Sequence, residues 1–402
     1  VLGTGTVMGA LAEWLAGAMN TNTGGIDHHS ANYVERQVLD WLKELLGYPA
    51  NASGLLTSGC SAANLIGLAV ARNARAPLDV RREGLQAEPR RMTLYASAEA
   101  HSSVQKAAEL LGLGSQALRS VPTDEDFRID LGALERAIAA DRAAGCLPFC
   151  VVGAAGTTNT GAVDDLEALA ALCAREELWL HVDGAFGAWA ALAPSARGQL
   201  RGMERADSLA CDLHKWMYLP YEIGCVFVRR EEDQRRAFSL TPAYLSHGEG
   251  GRGMTGGDLP WYSDYGYQLS RGFRALKAWM SLKEYGADKF ARLIEQNLAQ
   301  VRYLVTRIEA TPELELLAPA PLNVVCFRYV APGLADEELD ALNKRILVEL
   351  QESGVAAPSG TDVRGRYALH VAHTNHRTRC EDFDVLIEEV LRLGRSLQSL
   401  VG

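Results

Sequence analysis

Three short stretches of the chain carry residue types that can do chemistry. Thr57-Ser58-Gly59-Cys60-Ser61-Ala62-Ala63-Asn64 runs into an apolar helical pattern. Small residues let a backbone approach an anion, and a helix start offers unpaired N–H groups at its positive dipole end. The stretch reads as a phosphate cradle or as an ordinary N-capped helix; it is neither a Walker A nor a Gly-x-Gly-x-x-Gly pattern. Further on, Leu178-Trp179-Leu180-His181-Val182-Asp183-Gly184-Ala185 is an apolar strand pattern ending in a carboxylate. Ligands of open α/β sheets sit beyond such strand ends, although an Asp there can also cap the next turn. In the third stretch, Ala206 to Met217, Lys215 is flanked by Leu213, Trp216 and Met217. Desolvation is expected to lower its pKa and make it a nucleophile able to form a Schiff base, against the alternative of a snorkelling surface lysine.

Cradle, strand-end Asp and lysine, in that order, are accompanied by Asp27-His28-His29-Ser30 through Trp41, Ala100-His101-Ser102-Ser103-Val104, Gly156-Thr157-Thr158-Asn159-Thr160-Gly161-Ala162 and Leu269 through Lys277. Together they resemble the fold-type I pyridoxal-phosphate enzymes, and more closely the group II amino-acid decarboxylases that act on aromatic amino acids, glutamate or histidine. The His-Lys-Trp and Ser-Arg-x-Phe-Arg-x-Leu-Lys stretches are the specific ones. The resemblance implies pyridoxal 5'-phosphate as cofactor, held covalently by Lys215, with Asp183 on the pyridinium nitrogen and His101 stacked on the ring. It implies that Gly59, Cys60, Ser61 and Thr158 hold the phosphate, that Ala185 packs on the ring and that His214 positions substrate. Tyr244 matches a loop tyrosine that protonates the substrate carbon after CO2 leaves, and Arg271, expected to open the next helix, lies near the active site. His28 and His29 line the pocket or cap a helix.

The implied reaction is decarboxylation of an L-amino acid, aromatic in the first instance, to the amine. An aldehyde synthase or oxidative deaminase, or a decarboxylase of an acidic or diamino acid, is the alternative. Tyr244, which aldehyde-forming relatives tend to replace, favours amine formation, and intact Lys215, Asp183 and His101 disfavour a noncatalytic scaffold. Asp212 stands where several family members carry an Asn toward the phosphate; its charge would repel a dianion, which keeps it off the phosphate list. Asn20-Thr21-Asn22-Thr23 is more polar than the matching stretch of animal aromatic decarboxylases.

These residues need a scaffold. Helical spacing predicts helices over 7–19 and 33–47. Then short apolar strands (92–96, 149–154, 178–183, 223–228) alternate with helices (61–74, 102–111, 131–140, 164–176), which implies a mostly parallel sheet covered on both faces. The stretch 240–268, rich in Gly, Ser and Tyr, is expected to be a long functional loop. A helical pattern then runs from 272 to about 309, with a break at Gly286. A strand at 323–329, a helix near 335–352, a strand at 367–373 and a helix at 381–399 follow. The expected fold is thus α/β, of the aspartate-aminotransferase-like fold type I, with a smaller C-terminal α+β domain. Its expected parts are an N-terminal helical segment at 1–48 that contacts a second subunit, a cofactor domain at 49–285 and a small domain at 286–402. A preceding N-terminal piece is expected, since the chain starts at Val1. The resemblance implies homodimers with active sites at the interface.

Composition excludes other classes. With 40 Lys+Arg against 50 Asp+Glu the net charge is −10, unsuited to the counterion release that drives nucleic-acid binding. No apolar run reaches the ~18 residues of a membrane span, and no basic segment precedes the first helix as in a signal peptide. The 8 cysteines form no Cys-x-x-Cys pair and mostly sit in apolar company, as expected of free thiols in the reducing cytoplasm. His370, His373 and His376 follow no metal-ligand spacing and are expected to be structural.

Overall fold

The computed structural model describes residues 4–24, 30–240 and 261–398. Tyr244, His28, His29 and most of the 240–268 stretch lie outside the described residues. The chain opens with α1 (Val7–Met19) and α2 (Ser30–Leu46), followed by β1 (Ser53–Thr57), α3 (Cys60–Arg75) and the short α4 (Val80–Glu83). Next come β2 (Met92–Ser97), α5 (Ser102–Leu110), β3 (Leu118–Val121), α6 (Leu131–Ala143), β4 (Leu147–Ala154), α7 (Leu166–Arg175) and β5 (Trp179–Asp183). β6 (Ser208–Asp212), the one-turn α8 (Leu213–Trp216), β7 (Gly224–Val228) and α9 (Glu231–Phe238) complete the large-sheet pattern. α10 (Ala275–Tyr285) and α11 (Ala287–Glu309) are divided at Gly286. They lead to β8 (Leu314–Leu316), β9 (Val324–Tyr329), α12 (Asp336–Glu352), β10 (Ser359–Val363), β11 (Arg366–Ala372) and α13 (Cys380–Gln398).

The large sheet has the order β1-β7-β6-β5-β4-β2-β3. β2 through β6 run parallel, and β7 runs antiparallel to both its neighbours. Residues 213–223 are too short for the crossover of a dozen or more residues that a parallel return needs, so β7 folds straight back on β6. Alternation along β5 sends Trp179, His181 and Asp183 to one face and Leu180 and Val182 to the other. The imidazole of His181 packs on Gly67 of α3, while Leu180 sits with Leu166 and Leu169 of α7 beside Gly153. Helices therefore cover both faces, and all five residues of β5 are buried.

β10-β11-β9-β8 form a second, wholly antiparallel sheet. α11, α12 and α13 close it around Val325, Phe327, Ile346, Leu369 and Val390. The N-terminal segment is expected to contact a second subunit, but its α2 packs into the sheet domain. Its Val38, Leu39, Leu42 and Leu46 are part of the large core. α1 buries only Gly9 and Ala12 and leaves Val7, Leu11, Trp14 and Met19 exposed.

Candidate active site

The carboxyl ends of β5 and β6 and the start of α3 converge on one cavity of about 310 Å³. Gly59, Cys60, Ser61, His101, Asp183, Ala185, Asp212, His214 and Lys215 all line it. Gly224 of β7 lies directly beneath the cradle: a Cβ there would stand 2.6 Å from the Gly59 Cα and 2.8 Å from Asp212 Oδ1. That approach needs a glycine at 224.

Asp183 is buried at the end of β5. Its Oδ2 accepts from Asn64 Nδ2 at 2.9 Å, and its Oδ1 accepts from the Ala185 N–H at 3.1 Å and from Cys60 Sγ at 3.4 Å. Burial, reinforced by Asp183 and Asp212, holds the Cys60 thiol well above its ordinary range, so it remains a donor. His101 caps α5, its Nδ1 accepting from the Ser103 backbone N–H at 3.2 Å. Its ring is solvent-exposed and free to lie on a planar ligand.

The lysine differs from expectation. Burial opposes the charge on Lys215 more than any one contact favours it, but the Asp212 carboxylate, 2.9 Å away, together with Cys60 and Asp183, raises the ammonium pKa above its ordinary value. Apolar neighbours in sequence predict desolvation; they do not reveal that Asp212, one helical turn back, points at the same nitrogen. Asp212 Oδ1 also accepts from the Cys60 backbone N–H at 2.6 Å, so the negative group occupies a first-turn donor of α3. His214 is held below its ordinary pKa by burial. Its Nδ1 accepts from the Ile223 N–H at 3.1 Å, which leaves the hydrogen on Nε2, and its ring stacks on Tyr221 at 4.2 Å.

Thr158 lines a pocket with Ser97, Glu99, His101, Asp183 and Ala185 that adjoins the cavity of Gly59, Cys60 and Ser61 and shares His101, Asp183 and Ala185 with it. The loop of Gly156–Ala162 is closed on itself, Thr157 N–H donating to Ala162 O. One expected residue falls elsewhere. Arg271 does not open a helix, since α10 begins at Ala275. It is a buried clamp: Nη2 meets Glu35 Oε1 at 2.5 Å and Leu56 O at 2.6 Å, and Nη1 meets Glu35 Oε2 and Thr23 O at 3.1 Å each. The three C-terminal histidines have structural partners. His370 donates from Nε2 to Thr158 O, His373 bonds Asn297 and Gln300, and His376 packs on Tyr218. Residues the motif reading passed over are Asn64, one turn into α3 behind Cys60, and His181, two positions before Asp183 on the same strand face.

The sequence profile described as "Pyridoxal-dependent decarboxylase conserved domain" matches residues 3–330. The chain belongs to this family. It is 35% identical over 399 residues to an aromatic-L-amino-acid decarboxylase of Bacillus atrophaeus, covering 99% of this chain and 80% of that one. An L-2,4-diaminobutyrate decarboxylase of Acinetobacter baumannii is 31% identical, over 98% of this chain and 79% of its own length. Among solved structures, Oryza sativa TDC with PLP and tryptamine superposes with a TM-score of 0.90 at 28% identity, covering 98% of this chain and 82% of that one. The protein is a pyridoxal-phosphate-dependent amino-acid decarboxylase. Its own residues fit the cofactor: the Gly59–Gly224 contact keeps the cradle open, a buried carboxylate and a lysine face one cavity, and the buried Ser97 Oγ beside it has no partner.

Proposed function

We propose that this decarboxylase converts an aromatic L-amino acid to its amine, with Lys215 as the covalent anchor of the cofactor. The observation that carries the reading is the single cavity onto which Lys215, Asp183, His101 and the start of α3 open. When bound, pyridoxal phosphate accepts the electron pair left on the substrate carbon as CO2 departs. Asp183 serves this by keeping a negative charge at the ring nitrogen. Gly59, Cys60 and Ser61 hold the phosphate at the positive end of α3 together with Thr158, an arrangement that requires the Cys60 N–H to exchange Asp212 Oδ1, its partner in this structure, for the phosphate. His101 covers the ring, Ala185 closes the cavity wall behind Asp183, and His214 presents its Nε2 hydrogen to the cavity. Tyr244 gives its phenolic proton to the substrate carbon. The Bacillus atrophaeus relative supports the aromatic substrate.

One observation favours a diamino acid instead: Glu99, in the adjoining pocket wall, has a buried carboxylate oxygen without a partner, suited to a substrate ammonium. A panel of L-amino acids assayed for CO2 and amine decides between them. Aromatic substrates should turn over with amine and CO2 in equal amounts. Turnover confined to 2,4-diaminobutyrate or a similar amine would establish the second reading, and turnover of none would overturn both.

Homodimerisation is part of the same proposal, supported by the exposed apolar face of α1, where Trp14 is 73% exposed. The cytoplasm is the proposed location. It is supported by the cysteines, most of which are buried as small apolar side chains rather than set out as a disulfide framework. No helix among the described residues is long and apolar enough to cross a membrane.

A further inference from the structure

Behind the cavity, on the α3 side of β5, lies a line of buried polar groups that the reaction does not touch. Trp179 Nε1 is 2.8 Å from Ser208 Oγ, Ser208 Oγ is 2.7 Å from His181 Nδ1, and His181 Nε2 is 2.9 Å from Asn64 Oδ1. Asn64 Nδ2 then reaches both Asp183 Oδ2 at 2.9 Å and Ser103 Oγ at 3.0 Å. Ser103 Oγ is 2.8 Å from His101 Nδ1. Asn64, His181 and Ser208 are fully buried, and Trp179 is nearly so.

Only one assignment of hydrogens satisfies every member. A carboxylate accepts and never donates, so Asn64 turns its NH2 to Asp183 and its oxygen to His181. That oxygen requires a hydrogen on His181 Nε2, and burial lowers the His181 pKa to about 4, leaving a neutral ring with a bare Nδ1. Ser208 therefore donates to Nδ1 and accepts from the indole N–H. On the other branch the second Asn64 hydrogen goes to Ser103, whose own hydrogen goes to His101. With the Asn64 amide reversed, Ser208 would receive two hydrogens and have no acceptor for its own. Gly67 completes the arrangement, because a Cβ there would lie 2.6 Å from His181 Cε1. α3 carries a glycine in its interior where the imidazole sits.

We propose that Asn64, His181 and Ser208 are positioning residues: a one-way hydrogen-bond chain that branches at Asn64 to fix the Asp183 carboxylate at the ring nitrogen and the His101 imidazole over the ring face. The proposal rests on the reading that Asp183 faces that nitrogen. The chain supplies Asp183 with a donor that cannot reverse, and it leaves His101 with its hydrogen on Nε2. Both groups are thereby set before the ring arrives, so no reorganisation is needed as charge develops.

The test uses the cofactor-loaded enzyme with Ser208→Ala, His181→Leu, His181→Gln and Asp183→Asn. For each, kcat, KM, cofactor affinity and the pH titration of the cofactor's visible absorbance band are measured. Ser208→Ala and His181→Leu should lower kcat about tenfold with KM little changed, the loss of roughly one buried hydrogen bond, and should shift the band's titration midpoint. His181→Gln, whose amide can donate to Asn64 and accept from Ser208, should recover most of both. Asp183→Asn separates the two claims. If it alters neither band nor turnover, the reading of Asp183 falls and the proposal with it. If it cripples the enzyme while Ser208→Ala keeps wild-type kcat and titration, only the chain is overturned. Should His181→Leu fail to fold, Ser208→Ala, the smaller excision, decides alone. Equal behaviour of the folded Leu and Gln variants would also overturn it.

Discussion

Removing the Arg271 guanidinium tests whether that residue serves the fold or the substrate. Arg271 and Glu35 are both 0% exposed in their side chains and meet in a two-pronged pair. Arg271→Leu would leave the Glu35 carboxylate buried with the Leu56 N–H at 3.3 Å as its remaining partner, and would strip Leu56 O and Thr23 O of their donors. Stranding one member of a buried pair costs about 3–5 kcal/mol, a large share of the roughly 5–15 kcal/mol by which domains are stable. The double variant Arg271→Leu/Glu35→Leu replaces charge with apolar volume and should recover part of that loss. The orphaned Leu56 groups, at about 1–3 kcal/mol, keep the recovery incomplete. Urea unfolding of the cofactor-loaded protein, followed by circular dichroism, measures all three. Activity per folded molecule should change little in Arg271→Leu. A stability loss under 1 kcal/mol together with a many-fold rise in KM would refute the clamp and return Arg271 to the substrate.

Further outcomes follow from the site and its surroundings. Asp212→Asn removes the foremost of the groups that raise the Lys215 pKa and leaves burial, which lowers it; more free amine is then present at neutral pH, and cofactor capture by the unloaded protein should accelerate, most clearly between pH 7 and 9. A slower capture at every pH would show that Asp212 instead holds Lys215 in place. Burial keeps His181 and His373 neutral with pKa values of about 4, so the stability they confer is complete above the ordinary histidine pKa of ~6.5 and is lost as pH falls toward 4. Asp164, raised by burial to about 6, opposes this, and the net prediction is a melting temperature that drops between pH 6.5 and 4, with a shallower drop in His181→Gln. Tyr244→Phe should consume substrate yet lose most amine, with aldehyde among the products by mass spectrometry, whereas an unchanged amine yield would place the proton donor elsewhere. Trp14→Glu on α1 should shift the sedimentation of the proposed dimer toward monomer; an unaltered profile would count against an interface through α1.

Much of the scaffold was legible because its central strands are long apolar runs. Positions 149–154 and 178–183 read as buried strands, and β4 and β5 occupy them. The missed strands lack that signature. β10 is polar and mostly exposed, β3 is a short, partly exposed edge, β6 carries Ser208 and Asp212 inside the core, β8 spans three residues, and β1 has only Leu55 and Leu56 between small and polar residues. The reversal of β7 is a matter of connection length, which periodicity does not encode. At the site, residue types revealed Lys215, Asp183 and His101, but a motif does not report which neighbour shares a hydrogen. Asp212 changes the protonation of Lys215 from a position only three residues away. Asn64 and His181 look like a helix Asn and a core His until β5 and α3 are packed together. The spacing of His181 and Asp183, i and i+2 on a buried strand, was the available clue.

The central claim is that the cofactor is carried by Lys215, in a cavity shared with Asp183 and the start of α3. Borohydride reduction of the cofactor-loaded protein, followed by digestion and peptide mass mapping, tests it directly. Lys277 is also buried, but its ammonium is engaged by Pro220 O, Glu222 O and the Glu13 carboxylate, and Lys283 lies over the Trp279 ring. The pyridoxyl mass should therefore appear on the peptide containing Lys215 alone, and Lys215→Ala should abolish it; a label on Lys277 or Lys283 that survives in Lys215→Ala would contradict the account.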